Sequence, residues 1–193
     1  MLPSGHLAGG ALLGAWWSRR SARHPARVIA GGMLATSAPD LDLLIPSVLD
    51  RLSIDHDLNT GVHHRWVTHT PLFWGLTAVG ARRLSRRRGA PGWAPGAADM
   101  LAVGVGLHLL QDSLANTVAL LWPLRRREYG LGLDRLAGVD DHLEYIRRYP
   151  SSPAGKLEAG LLVAAVASCA WRLGQHGNGS GRSSWGSWPR SLS

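Results

Sequence analysis

An aspartate that follows a long apolar run is the feature that most restricts how this chain can fold. Residues 101–110 consist of Leu, Ala, Val and Gly apart from His108, and Asp112 comes two positions later. A carboxylate among apolar neighbours is unstable unless it is paired or binds a metal ion. On a helix, His108 and Asp112 lie one turn apart on the same face and can chelate a single ion. We therefore expect this face to meet the rest of a metal site.

Four other short segments carry the same two kinds of side chain, and together they supply the other candidate ligands. Imidazole nitrogens and carboxylate oxygens are the ligand set of zinc and related divalent ions. The lone Cys169 excludes an intrachain disulfide and a Cys-rich zinc finger, so that any metal must be held by histidine and carboxylate. The candidate ligands are His6, Asp40, Asp42, His64, His69, His108, Asp112 and Glu158.

Each candidate also has an ordinary structural interpretation. For His6 the alternative is a polar residue near a helix start, and for His64 and His69 it is a solvated loop residue. Asp40 and Asp42 follow Pro39, and aspartate is a common turn former. That interpretation accounts for one carboxylate in the turn better than for two.

Hydrophobic periodicity predicts an all-α protein, a bundle of about five main helices with almost no strand alternation. The predicted helices cover about 4–17, 25–36, 71–84, 97–121 and the residues from 153 onward, with a short helix near 140–148. Pro39 is expected to end the second helix, so that Asp40 and Asp42 project from an extended loop. Thr68 or Thr70 is the expected cap of the third. We predict one helical domain over residues 1–174 and a disordered Gly/Ser/Arg tail over 175–193.

The order of polar residues along these helices predicts a bundle with two different ends. The first, third and fifth helices begin near candidate ligands and end in arginines, so they are expected to share one direction. The net charge is +8 with a single lysine, Lys156, and such a surface favours anionic partners. Phospholipid headgroups and phosphoesters fit this charge. Nucleic acid is disfavoured because no recognition motif accompanies the arginines.

The apolar segments point to a membrane, although they are short. They run for roughly 12 to 17 residues, below the ~20 that a simple span needs. Glycine is abundant in them, as in close-packed membrane helices. We expect membrane association, and a basic soluble helical protein is the alternative.

The motifs resemble, in order, those of the YdjM-type family, inner-membrane-bound proteins assigned as metal-dependent hydrolases. The matching segments are 5–7, 39–42, 64–70, 108–112 and 121–123, with Glu158 a looser match. This chain differs in having Trp66 after His-Arg, where a small residue is usual, and Thr70 in place of serine. The family is distantly similar to zinc-dependent phospholipase C. The resemblance implies a phospholipase C-like helical fold and a location in the inner membrane.

We therefore expect a metal-dependent hydrolase that acts on a phosphoester of an anionic small molecule or a lipid. One to three divalent ions, with zinc as the expected metal, would lower the pKa of bound water and polarise a phosphoryl oxygen. In this interpretation Asp40 is a ligand or general base, and Arg65 stabilises the developing charge. The alternative is a membrane-associated protein whose metal only stabilises the bundle.

Overall fold

Every regular element is helical in the part of the chain that the computed structural model describes, residues 1–19, 24–55, 66–87, 89–125, 127–136, 139 and 142–180. Within these ranges an isolated bridge joins Val118 and Tyr129, and no strand is present. The seven α-helices are α1 Pro3–Ser18, α2 Pro25–Ser37, α3 Leu44–Arg51, α4 Pro71–Ser85, α5 Ala94–Ala115, α6 His142–Arg148 and α7 Pro153–Ser180. Short 3₁₀ turns lie at Pro39–Leu43, Val67–His69 and Tyr149–Ser151. The all-α prediction is confirmed.

Helices α1 and α2 form an antiparallel pair whose backbones nearly touch. A Cβ atom at Gly10 or Gly32 would overlap backbone atoms of the opposite helix, so only glycine permits this approach. The Thr36 hydroxyl donates to the carbonyl oxygen of His6 across the same contact, at 2.9 Å. This pairing brings the start of α1 next to the end of α2, where the motif with Asp40 begins.

Helix α7 runs alongside α1 in the same direction. At the start of both helices the Ser4 hydroxyl donates to Glu158, and at their ends the Arg172 guanidinium donates to the Ser18 carbonyl oxygen at 2.8 Å. Between these contacts the core is made of small residues, among them Ala11 and Ala165. Helices α1 and α7 therefore both begin at the end of the bundle that holds the candidate ligands.

Helix α5 completes the bundle by packing against α2 and α4. Its Gly104 is so close to α2 that a Cβ atom there would lie 2.6 Å from that of Ala35. At the opposite end, Arg82 of α4 pairs with Asp99 at 3.2 Å. Helix α4 begins directly after His69, and the Thr70 hydroxyl accepts from the Phe73 amide as its cap. One of the two predicted caps is thus the observed one.

Two sequence predictions about helix ends need correction. Helix α5 ends at Ala115 and not near residue 121, because Asn116 takes an extended conformation and Val118 pairs with Tyr129. Ala38 stays helical before Pro39, and Asp40 and Asp42 lie in a tight 3₁₀ turn and not in an extended loop. Proline is well suited to the first position of such a turn, where its missing N–H costs nothing.

Helix α7 is long and apolar enough to cross a bilayer over Pro153–His176, and only 11% of the tested window is buried in the structure. The segments Pro25–Ser37 and Pro39–Arg51, which are bent by 59° relative to each other, are long and apolar enough only if they form one broken span. Helix α7 continues to Ser180, beyond the predicted boundary of the tail at residue 175. Residues 181–193 lie outside the described ranges, and the division into domain and tail stays a prediction.

Candidate metal centre

Four of the predicted ligands converge at one end of the bundle. Asp40 comes from the 3₁₀ turn after α2, His69 from the turn before α4, and His108 and Asp112 from neighbouring turns of α5. Each residue offers one ligand atom, and these atoms all lie within 4.8 Å of one another. We call these four residues the metal quartet.

The distances inside the metal quartet leave little room for anything except an ion or a proton. His108 Nε2 lies 2.9 Å from Asp112 Oδ2, and His69 Nε2 lies 3.4 Å from Asp40 Oδ1. The two Nε2 atoms are themselves 3.4 Å apart. Two imidazole nitrogens and two carboxylates facing one point match the ligand chemistry of a divalent cation.

His6 joins the metal quartet from the start of α1. Its Nε2 atom lies 3.1 Å from Asp112 Oδ1 and 3.9 Å from Asp40 Oδ2, and its ring stacks on that of His108. His6 is 1% exposed, and Nε2 has no hydrogen bond of acceptable geometry within the described residues. A buried nitrogen in this position fits a metal ligand better than a structural histidine.

In each histidine of the centre, Nδ1 is the outer nitrogen and contacts another protein group. This leaves Nε2, the inner nitrogen, as the metal ligand. His108 Nδ1 donates to the carbonyl oxygen of Thr36 at 2.7 Å, and His6 Nδ1 faces the side-chain oxygen of Gln111 at 3.4 Å. These oxygens can only accept, so both histidines donate from Nδ1 and direct the lone pair of Nε2 inward. Such support is typical of histidines that bind metal.

Asp42 supports His69 in the same way. Its Oδ2 atom lies 3.4 Å from His69 Nδ1, behind the ring, and accepts a hydrogen bond from the Thr68 hydroxyl. Asp42 is therefore not one of the metal quartet, and its predicted role as a ligand stays a prediction. The physical reason is its position two residues after Asp40 in a 3₁₀ turn, which directs the two carboxylates differently.

Gln111 is a functional residue that sequence reasoning did not single out. Besides facing His6, its side-chain nitrogen donates to the carbonyl oxygen of Gly5 at 2.8 Å. The side chain fits because Gly9 lacks a Cβ atom, which would lie 2.7 Å from the Gln111 amide. A polar residue next to Asp112 in an apolar helix is the signal that could have revealed this role.

Glu158 is buried near the metal quartet but makes different contacts. It accepts hydrogen bonds from the Tyr149 hydroxyl at 2.8 Å, the Leu2 amide at 3.3 Å and the Ser4 hydroxyl. It thereby holds the first turn of α1, which carries His6, against α7. The Met1 amino group lies 2.8 Å from Asp112 Oδ1 in the same region. Glu158 is not part of the metal quartet, and its role as a ligand stays a prediction.

His64 and Arg65, predicted as a ligand and as a stabiliser of developing charge, lie outside the described residues. The described chain resumes at Trp66, just before the turn that carries His69.

Burial and charge differ among the residues of the centre. The side chains of His69, His108 and Asp112 are 0% exposed, whereas that of Asp40 is 17% exposed. Solvent therefore reaches the metal quartet on the side of Asp40. Burial alone would lower the pKa of His69, but its contacts with Asp40 and Asp42 outweigh burial and raise the pKa to about 9. The carboxylates thus favour a positive charge at this point of the protein.

The fold and the centre define an α-helical protein with a buried histidine–carboxylate site suited to a divalent ion. The family model described as "YdjM inner membrane protein" matches residues 1–177. The chain belongs to this family, and its location is the inner membrane. No curated protein and no solved structure matches it. The likeness to phospholipase C stays an expectation.

Proposed function

We propose that this protein is a metal-dependent hydrolase of the inner membrane that acts on a phosphoester. The observation that carries the proposal is the metal quartet itself, in which two imidazoles and two carboxylates converge while Asp40 reaches solvent. A site built only for stability would be closed on all sides. Zinc is the expected ion, since it accepts nitrogen and oxygen ligands and needs no sulfur.

The carboxylates support a site for two ions. Asp112 directs Oδ2 toward His108 and Oδ1 toward His6, and Asp40 directs Oδ1 toward His69 and Oδ2 toward His6. The two oxygens of each carboxylate therefore face different histidines. In this proposal His69 and His108 would hold one ion and His6 the other, with Asp40 and Asp112 as the carboxylate ligands. His64 and Glu158 are candidates for further ligands.

The bound metal would supply an activated water and a Lewis acid for the phosphoryl oxygen. The residues of the chain do the remaining work. Asp112 is buried among the histidines and balances the charge of the ions, while Gln111 and Asp42 hold the rings in place. Asp40, which touches solvent, either binds metal or accepts a proton from water. Arg65 is proposed to stabilise the negative charge that develops on the phosphate.

The proposal is tested by hydrolysis assays on the detergent-purified protein. Release of phosphate or of a phosphorylated headgroup is measured from a water-soluble phosphodiester and from phospholipid vesicles. We expect activity that a chelator removes and added zinc restores. Asp112→Asn should be inactive, whereas Asp55→Asn, a change in an exposed aspartate, should retain activity.

A metal-binding protein without catalysis is the second candidate. The complete burial of three residues of the metal quartet favours it, because a buried ion stabilises the fold. In this case a chelator would lower the melting temperature, and neither substrate would be hydrolysed at any metal concentration.

A further inference from the structure

An apolar groove begins beside the metal centre, on the side of Gln111. It lies between α1, α5 and α7, and its volume is about 320 Å³. Apart from Gln111, its lining is apolar or glycine. Its lining includes Leu12, Leu13, Trp16, Leu107, Leu110 and Leu161.

The groove is connected to the metal centre through one side chain. Gln111 lines the groove and also faces His6 and binds the Gly5 carbonyl. From this end the groove follows α1 as far as Trp16. Gly9 and Trp16 both line it, and seven residues of helix rise about 10 Å.

The position of the groove along α7 places it inside one leaflet. Leu161 lies eight residues after Pro153, the first residue of the candidate span, which is about 12 Å of helix. The hydrocarbon of one leaflet is ~15 Å thick, half of a ~30 Å core. Along α1 the groove extends to Leu12, Leu13 and Trp16, farther from the start of the helix than His6, so this part would lie deeper in the leaflet than His6.

We propose that this groove binds one acyl chain of a membrane phospholipid, whose headgroup lies at the end next to Gln111. The proposal rests on the proposed function in one respect, namely that this lipid is the substrate. An acyl chain fits because the protein resides in the inner membrane and the side chains of the lining carry no charge. Leu110, at 56% exposed, forms part of the rim through which a chain enters from the bilayer.

Photolabelling tests occupancy independently of catalysis. The variant Asp112→Asn, which is expected to bind metal weakly and to be inactive, is placed in phosphatidylcholine nanodiscs. These contain a phosphatidylcholine with a diazirine in its acyl chain, and labelled peptides are mapped by mass spectrometry. We expect residues 9–16 and 107–114 to be labelled severalfold more than the outer face of α7 around Val163 and Val166, which are 71% and 69% exposed.

Two substitutions fill the groove and a matched one does not. Leu13→Trp and Leu110→Trp should each reduce groove labelling at least fivefold, whereas Val103→Trp, also on an exposed face of α5, should leave it unchanged. Metal content, measured for the same three changes in the chain with Asp112, should stay equal. The proposal would be overturned if the groove and the outer face were labelled equally, or if neither groove substitution changed the labelling. Crosslinks from the groove to a second copy of the chain would also overturn it.

Kinetics link the groove to the substrate. In the otherwise unchanged chain, Leu110→Trp should raise KM for a long-chain phospholipid about tenfold relative to KM for the water-soluble phosphodiester, whereas Val103→Trp should change neither. Equal effects on both substrates would overturn the assignment of the lipid as substrate. Failure of the proposed function is recognised separately, because then the chain with Leu110 hydrolyses neither substrate while groove labelling persists.

Discussion

The centre of the bundle and the outer faces of α4 and α7 differ in polarity in the opposite sense to a soluble protein, with polar groups inside and large apolar side chains outside. Histidines and carboxylates are buried inside, together with a core of small residues such as Ala8 and Ala15. Large apolar side chains face outward, including Leu76 on α4 and Val163 on α7, at 68% and 71% exposed. In a bilayer, small residues let helices approach closely, and the lipid covers the large ones. The comparison shows that the bundle is held together by close backbone contact and polar bonds, while its outside is adapted to lipid.

The strongest test of the interior is the removal of one charge from the metal quartet. Asp112→Asn keeps the shape of the side chain but removes the negative charge that balances the cation. We expect metal affinity to fall by more than 100-fold, beyond the 10–100-fold typical of residues that only support ligands. Metal titration by calorimetry measures this. Asp55→Asn is the control, and an equal loss in both variants would mean that the ligands are wrongly assigned.

The strongest test of the outside is an added charge in the middle of α7. Val163→Arg should cost ~2.5–3.5 kcal/mol of insertion free energy if this face meets lipid. The membrane fraction should therefore retain the parent chain and Val163→Leu through a high-salt wash, since salt screens charges but not apolar burial. Leu131→Arg, at an exposed position outside the helices, is the matched control. Retention of Val163→Arg at the parental level would contradict the assignment of this face.

A weaker effect is expected where a residue supports a ligand without binding metal. Asp42→Asn should reduce metal affinity by about 10–100-fold, because Asp42 contacts the outer nitrogen of His69 and not the inner one. The number of ions bound at saturation should not change. A loss as large as that of Asp112→Asn would make Asp42 a direct ligand, as the sequence alone predicted.

The smallest effect concerns pH. In the metal-free protein the pKa of His69 is about 9, above its ordinary value of 6.5, so protonated His69 stabilises the fold fully below pH 6.5. This stabilisation is lost as pH rises through 9, and the melting temperature should fall, on the order of 3 °C. Metal binds only the unprotonated imidazole, so metal affinity should rise over the same pH range. Thermal unfolding with chelator measures the melting temperature of the metal-free protein, and the increase seen with metal measures the binding. In the metal-free variant His69→Asn the melting temperature should not fall between pH 6.5 and 9.

The sequence was most informative where spacing and helix geometry fix the outcome. His108 and Asp112 had to share a face once the run was helical, and the antiparallel pair α1 and α2 places His6 near Asp40. Supports that come from backbone groups could not be predicted, because they depend on contacts between distant segments. The Thr36 carbonyl that holds His108 is an example, since every residue has one.

The fold was harder to predict at its irregular parts. Helix α3 was missed because its eight residues include Pro46 and follow the 3₁₀ turn without a cap. The end of α5 at Ala115 depends on the bridge between Val118 and Tyr129, a tertiary contact with no local signature. Both errors lie next to the metal quartet, where the chain leaves regular helix to place its ligands.

X-ray absorption spectroscopy of the zinc-loaded protein tests the central claim most directly. We predict a nitrogen and oxygen coordination shell with the multiple scattering of imidazole from His6, His69 and His108, and no sulfur. His108→Ala should lower the imidazole signal. A sulfur contribution, or a shell of oxygen alone that His108→Ala leaves unchanged, would contradict the proposal that these residues hold the metal.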